Sequence, residues 1–337
     1  MKHHQKQKRT LYIRFALLAL GAALSLCMGR YALDAKELLG ILASRVIEIE
    51  PFWPRQTEIV FLNIRLPRIL LSCMVGACLA GAGAAYQGVF QNPMASPDLL
   101  GASAGAAFGA ALAILLGAPR AGVTAAAFAG SVTAIALVWL VGRFARGKQV
   151  LTLVLAGIMI SSLFQAGTSY IKLVADPSNQ LPAITYWMMG SLSGARMNDV
   201  RFAALPMAAG MAVLLALRWK INLLTLGDDE ARTLGVNVSA VRLAVILCST
   251  LLTASAVSVS GTIGWVGLVV PHLARRLVGN DYRALMPASL MGGALFLLLV
   301  DDVSRNMAAT EIPLGILTAF LGAPFFLWLI IRKGETA

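Results

Sequence analysis

The chain has 337 residues, of which 58% are hydrophobic and only 13% are charged, and its mean hydropathy is +0.76. Soluble domains carry about 25% charged residues, so this composition excludes an ordinary soluble protein and predicts an integral membrane protein. The net charge of +12 comes from basic residues beside apolar stretches and not from a long basic run, which argues against nucleic-acid binding.

Nine charge-free apolar windows recur along the chain and predict ten membrane-spanning helices. The longest window, 243–274, has 32 residues, whereas one span needs about 20. Its glycines Gly261, Gly264 and Gly267 predict a break, so we divide this window into two spans. The nine windows are 15–29, 69–97, 99–119, 121–142, 149–171, 202–217, 243–274, 284–300 and 312–331.

Both ends of the chain are basic, and ten spans place both ends on the same side of the membrane. Because Lys and Arg are enriched on the cytoplasmic side, residues 1–14 are predicted to be a cytoplasmic tail and the C-terminus is predicted to be cytoplasmic too. Residues 31–64 then form an extracytoplasmic loop, and residues 220–240 lie in the cytoplasm. No Pro-rich or Ser-rich linker divides the chain, so residues 1–337 are predicted to be a single transmembrane domain.

Two segments of the chain resemble each other weakly. RLPRILLSCMVGACLAGAGAAYQGVFQNP, which begins at Arg65, and RLAVILCSTLLTASAVSVSGTIGWVGLVVP, which begins at Arg242, each contain Arg-Leu, about 20 small and aliphatic residues, a Gly and a Pro. Five predicted spans separate the two starts, so the copies are predicted to be inverted relative to each other, as in many transporters. Shared membrane composition is the alternative explanation.

Residues 91–101, QNPMASPDLLG, predict an interruption of helical structure. Pro93 and Pro97 free backbone groups from helical hydrogen bonds, and the side chains of Asn92 and Ser96 are able to satisfy those groups. Such irregular backbone at membrane depth occurs beside protein or along a water-filled path. The segment is therefore either a constriction on a translocation route or a plain turn between helices.

Small residues recur every four positions in the next window. Gly101, Gly105, Gly109, Ala113 and Gly117 are predicted to form a flat helix face that a neighbouring helix approaches closely. Ordinary helix packing is the main interpretation, and a face that slides between transport states is the alternative.

No nucleotide, catalytic or metal site is predicted. Residues 142–149, GRFARGKQ, match a phosphate-binding loop except that Gln149 stands where Ser or Thr would bind magnesium. The sequence shows no Ser/His/Asp, His-Glu-x-x-His or paired-carboxylate pattern on soluble segments, and its four cysteines have no metal-ligand spacing. We expect any ATP that drives this protein to be hydrolysed elsewhere.

Residues 224–238, LTLGDDEARTLGVNV, place three consecutive acids in an otherwise apolar chain. The acids suit the positive end of a short helix with Gly227 or Asp228 as its N-cap, Arg232 suits its negative end, and Gly235 suits the position after it. Isolated helices shorter than about 12 residues are marginal in water, so this helix must dock. Its partner is either a cytoplasmic protein or the underside of its own membrane domain.

Asp301 and Asp302 end a predicted span, and Arg305 lies within helical pairing distance of both. The main interpretation is an ion-pair cluster on the surface at the outer interface. The alternative is a proton or sodium site of an ion-coupled transporter.

Six motifs occur in order along the chain: RLPRIL (65–70), QNPMASPDLLGASAGAAFGA (91–110), YWMMGSLSG (186–194), LGDDEARTLGVNV (226–238), GTIGWVGLVVPHLARRLVGNDYRALMPAS (261–289) and EIPLGILTAFLGAPFF (311–326). Together they resemble the FecCD-type permeases of bacterial ABC importers, which carry iron-siderophore complexes, haem or cobalamin. The resemblance spans about residues 65–329, and Trp265 departs from the family's more usual Phe.

The resemblance implies an all-α integral membrane fold with ten transmembrane helices per subunit and a short cytoplasmic coupling helix. It also implies a homodimer in the bacterial cytoplasmic (inner) membrane, with the path at its centre. Two separate cytoplasmic ATPase subunits, which hold ATP and magnesium, and an extracytoplasmic substrate-binding protein are the implied partners, with lipid around the dimer.

The resemblance also implies residue roles. Asn92, Pro93 and Met94 match part of the cytoplasmic gate. Arg65, Arg68 and Arg305 match arginines that pair with glutamates of the binding protein, which accounts for the six basic residues between 30 and 68; anchoring to lipid headgroups is the alternative. The coupling helix that seats in the ATPase subunit comprises Asp228, Asp229, Glu230, Ala231, Arg232, Leu234 and Gly235.

The predicted function is that of an ABC importer permease that moves an iron complex, a ferric siderophore or haem, to the cytoplasm by alternating access. Cobalamin or another metal chelate is the alternative cargo. An ion-coupled secondary transporter is the alternative of a different class.

Overall fold

The computed structural model describes residues 18–26, 28–29, 31, 34–45, 47, 49–144, 149–308 and 310–334. Within these ranges every regular element is helical, in agreement with the predicted all-α fold. Residues 18–26 belong to the first helix, α1. The other helices are α2 (Ala35–Ala43), α3 (Arg55–Val60), α4 (Leu66–Val89), α5 (Ala102–Leu115), α6 (Arg120–Phe144), α7 (Gln149–Val174), α8 (Gln180–Met188), α9 (Met197–Leu224), α10 (Asp228–Thr233), α11 (Val238–Ser260), α12 (Val266–Val278), α13 (Tyr282–Asn306) and α14 (Leu314–Gly334).

Six helices of the described residues are long and apolar enough to cross a membrane: Arg55–Val89, Arg120–Phe144, Leu151–Val174, Met197–Leu224, Val238–Ser260 and Tyr282–Asn306. Two shorter apolar helices, Ala102–Leu115 and Leu314–Leu329, accompany them. The chain is therefore a multi-pass membrane protein, whereas the count of ten spans stays a prediction. The predicted tail 1–14, parts of the first predicted span and residues 145–148 of the GRFARGKQ loop lie outside the described residues.

The predicted outer loop 31–64 contains two helices, α2 and α3, that the sequence did not indicate. A π-helical segment, Phe61–Arg65, joins α3 to α4, so that Arg55–Val89 is one helix of 35 residues. The charge-free window began only at residue 69 because Arg65 and Arg68 interrupt it, yet these side chains are buried, with 4% and 5% exposure. The predicted start of this span at residue 69 was therefore wrong, because Arg65 and Arg68 were taken to lie outside the span although both are buried in the helix.

The longest window does break where its glycines predict. α11 ends at Ser260 and α12 begins at Val266. Gly261 has a φ of 70°, and a Cβ there would lie 2.2 Å from the carbonyl oxygen of Trp187, so glycine is required at this position. Gly267 does not belong to the break, because it lies inside α12.

α4 lies at the centre of the fold, in contact with α9, α11, α12 and α13. A Cβ on Gly76 would come within 2.1 Å of the carbonyl oxygen of Gly293 in α13, and one on Gly83 within 2.0 Å of that of Gly267 in α12. No real Cβ comes this close to an oxygen, so these helices approach each other because the side chains are missing. The core is therefore built largely from backbone contacts between small residues.

The predicted row of small residues packs α5 against α6, but it is shorter than predicted. A Cβ on Gly105 would lie 2.3 Å from the carbonyl oxygen of Gly130, and one on Gly109 would lie 2.1 Å from that of Ala126. Gly101 precedes α5 as its N-cap and Gly117 follows its end, so neither belongs to the packed face. For Gly105 and Gly109, the structure shows close packing of α5 against α6.

The two similar segments have a common local order. The first contains α4 and the second most of α11, and each of these long helices is followed by a break and then a short helix, α5 of 14 residues or α12 of 13 residues. This order agrees with a repeat, and the inverted relation between the copies stays a prediction.

Candidate functional site

The charged segment forms α10, a helix of six residues between α9 and α11. Ala231 has 0% exposure, whereas the side chains of Asp229 and Arg232 are 92% and 61% exposed. Glu230 and Leu234 are exposed as well. The helix therefore buries Ala231 against its own domain and presents charged groups and one leucine outward.

The ends of α10 refine the sequence prediction. Gly227 is the N-cap, and Asp228 is the first helical residue, where it forms an ion pair of 2.7 Å with Arg242. The helix ends at Thr233, and Gly235 follows with a φ of 80°, at the position after the helix that the sequence predicts for it. Because Arg242 belongs to α11 and its side chain is only 5% exposed, the ion pair ties α10 to a membrane-spanning helix.

The three predicted gate residues lie together in the exposed turn after α4. The side-chain oxygen of Asn92 accepts a hydrogen bond of 2.9 Å from the N–H of Met94, and its carbonyl oxygen accepts one of 3.0 Å from the N–H of Ala95. Pro93 has no N–H to donate, which suits a turn. The structure thus brings Asn92, Pro93 and Met94 into one turn, and their role as a gate stays a prediction.

Gln91, which the sequence analysis did not single out, connects this turn to the coupling segment. Its side-chain amide donates a hydrogen bond of 2.7 Å to the carbonyl oxygen of Leu224, the last residue of α9. Gln91 also has a φ of 49°, which is uncommon for a residue with a side chain. The only signal in the sequence was a polar side chain at the end of an apolar window, and the positive φ is not readable there.

A buried polar network extends the connection. The Gln87 amide donates a hydrogen bond of 3.2 Å to the carbonyl oxygen of Gly267, and Arg275 donates to the Gln87 side-chain oxygen. Arg275 also donates to the hydroxyl of Tyr282 at 3.1 Å, and the Tyr282 N–H donates to Asn222 at 3.2 Å. The ends of α4, α9, α12 and α13 are thereby joined by hydrogen bonds near the gate turn.

Two cavities meet on one side of the fold. The larger, of about 760 Å³, lies between the break that precedes α12 and α14. The smaller, of about 430 Å³, lies between α5 and α7. Four residues line both of them: Asp98, Ser103, Met188 and Thr262. Each of the two spaces is large enough for a small ligand.

Asp98 faces both cavities, and the residue is exposed in the described chain. The Ser103 hydroxyl donates a hydrogen bond to its carboxylate.

A buried ion-pair cluster joins α4 to α13. The Arg68 guanidinium donates to Asp301 at 2.9–3.1 Å and to Glu311 at 2.9 Å. Arg305 forms ion pairs with Asp301, at 3.3 Å, and with Asp302. Two basic and three acidic side chains therefore lie together at this end of the helices, and each carboxylate is within ion-pair distance of a guanidinium group.

The predicted pairing of Arg305 with both aspartates is confirmed, but the predicted surface position of this cluster is wrong. Asp301 has 0% exposure, and Asp302 and Arg305 have 7% each. The physical reason is that α1 covers the cluster, where Ser25 donates a hydrogen bond of 2.6 Å to Asp302. Since both carboxylates are paired with guanidinium groups, neither is an isolated acid of the kind that binds a proton or sodium ion.

The three predicted docking arginines point into the protein. Arg68 and Arg305 use their guanidinium groups in the cluster, and Arg65 donates to the carbonyl oxygens of Leu26 and Tyr31. The three guanidinium groups thus have partners within the chain, and a role of Arg65, Arg68 or Arg305 in docking the binding protein stays a prediction.

Metal-binding side chains are dispersed in the part of the chain that the structure describes. No three His, Cys, Asp or Glu side chains come together there as the ligands of a metal ion would. His272 contacts the rings of Phe325 and Phe326, so it packs among aromatic groups.

Comparison with known proteins gives consistent matches along the chain. The model of the FecCD transport family matches residues 17–332. The chain is 39% identical over 316 residues to the molybdate import system permease protein MolB of Haemophilus influenzae, covering 94% of this chain and 93% of that protein. It is 39% identical over 332 residues to the hemin transport system permease protein HmuU of Yersinia pestis, covering 96% and 95%.

A solved structure shares the fold. It is described as an inward-facing conformation of a metal-chelate type ABC transporter, and it matches with a TM-score of 0.86 at 38% sequence identity. The match covers 96% of this chain and 99% of that one.

Proposed function

The chain belongs to the FecCD transport family and is a permease of the metal-chelate type of ABC importer, and on this premise we propose that it carries an iron complex, a ferric siderophore or haem, into the cell. The family predicted from the six motifs is thereby confirmed. Such a permease is a transporter subunit and not an enzyme, and the family implies an ATPase and a binding protein as its partners.

The observation that carries the proposal is the exposure of α10. This helix lies between two spanning helices, and its outward side presents Asp229, Glu230, Arg232 and Leu234. A helix so short needs a docking surface, and its own domain holds it mainly through Ala231 and the ion pair of Asp228. In the proposed complex a groove of the ATPase subunit covers the outward side, and ATP and magnesium bind to that subunit.

Movement of α10 reaches the gate turn by a short route. α10 follows directly on the end of α9, and the hydrogen bond from Gln91 to Leu224 joins that end to the turn that contains Asn92, Pro93 and Met94. In the proposed mechanism, ATP-driven closure of the ATPase subunits displaces α10, and this hydrogen bond passes the displacement to the turn. The path then opens alternately to either side of the membrane.

The proposed assembly is a homodimer in the bacterial cytoplasmic membrane, with ten spans per subunit, inverted repeats and both termini in the cytoplasm. In this proposal residues 1–337 form one domain, in which 31–64 faces outward and 220–240 inward. The exposure of α7 supports a second copy: only 22% of its most apolar window is buried within the chain. A spanning helix with so little packing of its own suits a position at a central path between two subunits.

An iron complex is proposed as the cargo because HmuU, which is named for hemin transport, matches nearly the whole chain. MolB, which is named for molybdate import, matches it at the same identity. Molybdate is therefore an alternative cargo in addition to cobalamin and other metal chelates. The ion-coupled alternative is disfavoured by the pairing of Asp301 and Asp302 with arginine.

Transport in proteoliposomes tests the proposal. The permease is reconstituted with its ATPase and binding protein, and uptake of radioactive iron, supplied as a siderophore complex or as haem, is measured. We expect uptake to require ATP and to be unaffected by a protonophore. Uptake that continues without ATP and stops when the proton gradient is abolished would show an ion-coupled transporter, and ATP-driven uptake of molybdate or cobalamin in place of iron would correct the cargo.

A further inference from the structure

α7 carries a line of polar side chains along a helix that is long and apolar enough to span the membrane. Positions 161, 165, 168, 169 and 172 fall within about one third of the circumference of an α-helix, which turns 100° per residue. All five line the smaller cavity, whose volume is about 430 Å³. These residues, defined here as the polar wall, are Ser161, Gln165, Thr168, Ser169 and Lys172.

Lipid is an unfavourable environment for this wall. Polar side chains within spans generally face a protein interior or a water-filled cavity, and Lys172 lies in the last turn of α7, near one end of the span. Leu163 and Tyr170, on the opposite side of α7, are exposed and suit contact with lipid. α7 therefore has one polar side and one mainly apolar side, as expected of a helix that lines a path.

The hydrogen bonds within α7 decide which groups of the wall remain to bind a ligand. The hydroxyls of Thr168 and Ser169 already donate to the carbonyl oxygens of Phe164 and Gln165, at 2.8 Å and 2.9 Å. The donors left for the cavity are therefore the Ser161 hydroxyl, the Gln165 amide and the Lys172 ammonium group. Among the described residues, Lys172 forms no ion pair.

The two charged residues on the lining of this cavity differ in their hydrogen-bond and ion-pair partners. Asp98 is the one acidic residue on its lining and Lys172 the one basic residue. The Asp98 carboxylate accepts a hydrogen bond from the Ser103 hydroxyl, whereas Lys172 forms no ion pair among the described residues. Lys172 is partly exposed to the cavity, so its positive charge dominates the wall.

We propose that the polar wall is a selectivity site that binds an anionic, oxygen-rich cargo, with Lys172 facing its negative charge and Gln165 donating to its oxygen atoms. This inference rests on the proposed function and names the class of cargo: a chelate with net negative charge, in preference to a neutral or cationic one. The other cavity supplies a mainly apolar surface that includes Ile316, Phe320 and Ala323, against which the organic part of a chelate packs.

Thiol labelling tests the wall without knowledge of the natural cargo. Ser169→Cys is made in the full-length protein, and its rates of modification by sulfonatoethyl methanethiosulfonate, which is anionic, and trimethylammonioethyl methanethiosulfonate, which is cationic, are compared. Each rate is divided by the rate for a small free thiol, and labelling of the parent chain is subtracted. We expect the anionic reagent to be favoured, and Lys172→Gln in the same background to lower that preference at least about threefold, because one unit charge is removed nearby.

Matched variants keep this test informative. Leu163→Cys, on the opposite side of α7, is expected to react with neither reagent, and Lys172→Arg is expected to retain the anionic preference. The inference is overturned if Ser169→Cys reacts with neither reagent, as lipid or a second copy covering the wall would cause, if the cationic reagent is favoured, or if Lys172→Gln leaves the preference unchanged. Labelling needs no ATPase, so failure of ATP-driven uptake in the parent complex would contradict the proposed function alone.

Discussion

Charged side chains have two distinct environments in this membrane protein. Arg68 and Asp301 are buried and paired, so removing one of them leaves the other without compensation in a medium of low dielectric. Asp229 and Arg232 lie on α10 in solvent, where an ion pair contributes little to stability. The first kind of charge therefore serves folding, and the second kind is available to a partner.

Replacing Asp301 with leucine tests whether the buried charges stabilise the fold. Asp301→Leu leaves the guanidinium groups of Arg68 and Arg305 with fewer partners, and we expect the free energy of unfolding to fall by about 3–5 kcal/mol. Glu58→Leu is the control, because it breaks the exposed ion pair with Arg45 and should cost about 1 kcal/mol or less. Both variants are compared by denaturant unfolding in detergent. Equal losses in the two variants would contradict the structural role of the cluster.

Reversing one exposed charge on α10 tests whether this helix binds the ATPase subunit. Glu230 is exposed, so Glu230→Arg should leave the fold of the membrane domain intact while placing a positive charge in the proposed ATPase groove. We expect co-purification of the ATPase and ATP-driven transport to fall at least about tenfold, which corresponds to 1.4 kcal/mol. Glu50→Arg, an equal charge change at an exposed outer residue, is the control. If the Glu230→Arg variant still bound the ATPase as well as the parent chain does, the proposed coupling role of Glu230 would be wrong.

At the scale of elements, glycine positions decide how closely the helices pack. Gly292 and Gly293 are neighbours in α13, but only Gly293 meets the backbone of α4, where a Cβ would lie 2.2 Å from the carbonyl oxygen of Gly76. At Gly292 the nearest atom is a methyl group of Val270, 3.2 Å away. A backbone atom within a helix moves much less readily than the end of a side chain, so the two glycines should respond differently to the same change.

This difference is measurable with two alanine variants. Gly293→Ala must push α13 away from α4, and we expect a loss of about 1–3 kcal/mol, the usual cost of overpacking. Gly292→Ala should be close to neutral, because a small displacement of Val270 is offset by the better helix propensity of alanine. Thermal unfolding of the two purified variants gives the comparison. A loss at Gly292→Ala as large as that at Gly293→Ala would show that backbone contact is not the deciding factor.

The hydrogen bond between the gate turn and α9 gives a prediction about coupling. Gln91→Leu keeps the size of the side chain and removes the donor to the Leu224 carbonyl oxygen. We expect the amount of cargo moved per ATP hydrolysed to fall several-fold, with assembly of the complex and ATP hydrolysis retained. Thr225→Val is the control, since it removes a hydrogen bond within one turn of α9, to Asn222. An unchanged ratio in Gln91→Leu would exclude this hydrogen bond from the coupling route.

The elements show which features the sequence alone reveals. The break after Ser260 and the capped helix at α10 were predictable, because glycine conformation and helix capping are local effects. The start of the helix Arg55–Val89 and the burial of Arg305 were not. Both depend on contacts between residues distant in the chain: Arg68 pairs with Asp301, and Arg305 is covered by α1, where it donates a hydrogen bond to Ser25. Such contacts cannot be read from local spacing. Gln91 was missed for the same reason, since its partner is 133 positions away.

At the scale of the whole molecule, one chain leaves much of its apolar and polar surface uncovered. α7 and α14 expose large side chains such as Leu163 and Phe320, and both helices border the connected cavities. Lipid covers the apolar part of such a surface but not the polar wall. A second copy that encloses the cavities therefore accounts for both parts, in agreement with the proposed homodimer.

The number of copies is directly measurable. We expect the purified complex in a nanodisc to contain two permease chains, each of 35.6 kDa, and two differently tagged permeases expressed together to co-purify through either tag. Mixing of the two permeases after separate purification is the control for chance association in detergent. Isolation of only one tagged form, with a mass that allows one permease chain per complex, would contradict the homodimer.

The helix Arg55–Val89 determines how high the protein stands above the bilayer. Its 35 residues correspond to about 52 Å at 1.5 Å per residue, while the hydrocarbon core is about 30 Å thick. With its N-terminal end outward, as the topology predicts, about 20 Å of helix is left for the headgroup layer and the water beyond it. The headgroup layer takes about 5–8 Å of this length, and what remains, about 12–15 Å, exceeds the Debye length of about 8 Å at physiological salt. Cargo arriving at such an elevated rim is screened from the charge of the membrane surface, so changes in lipid composition should alter its delivery little.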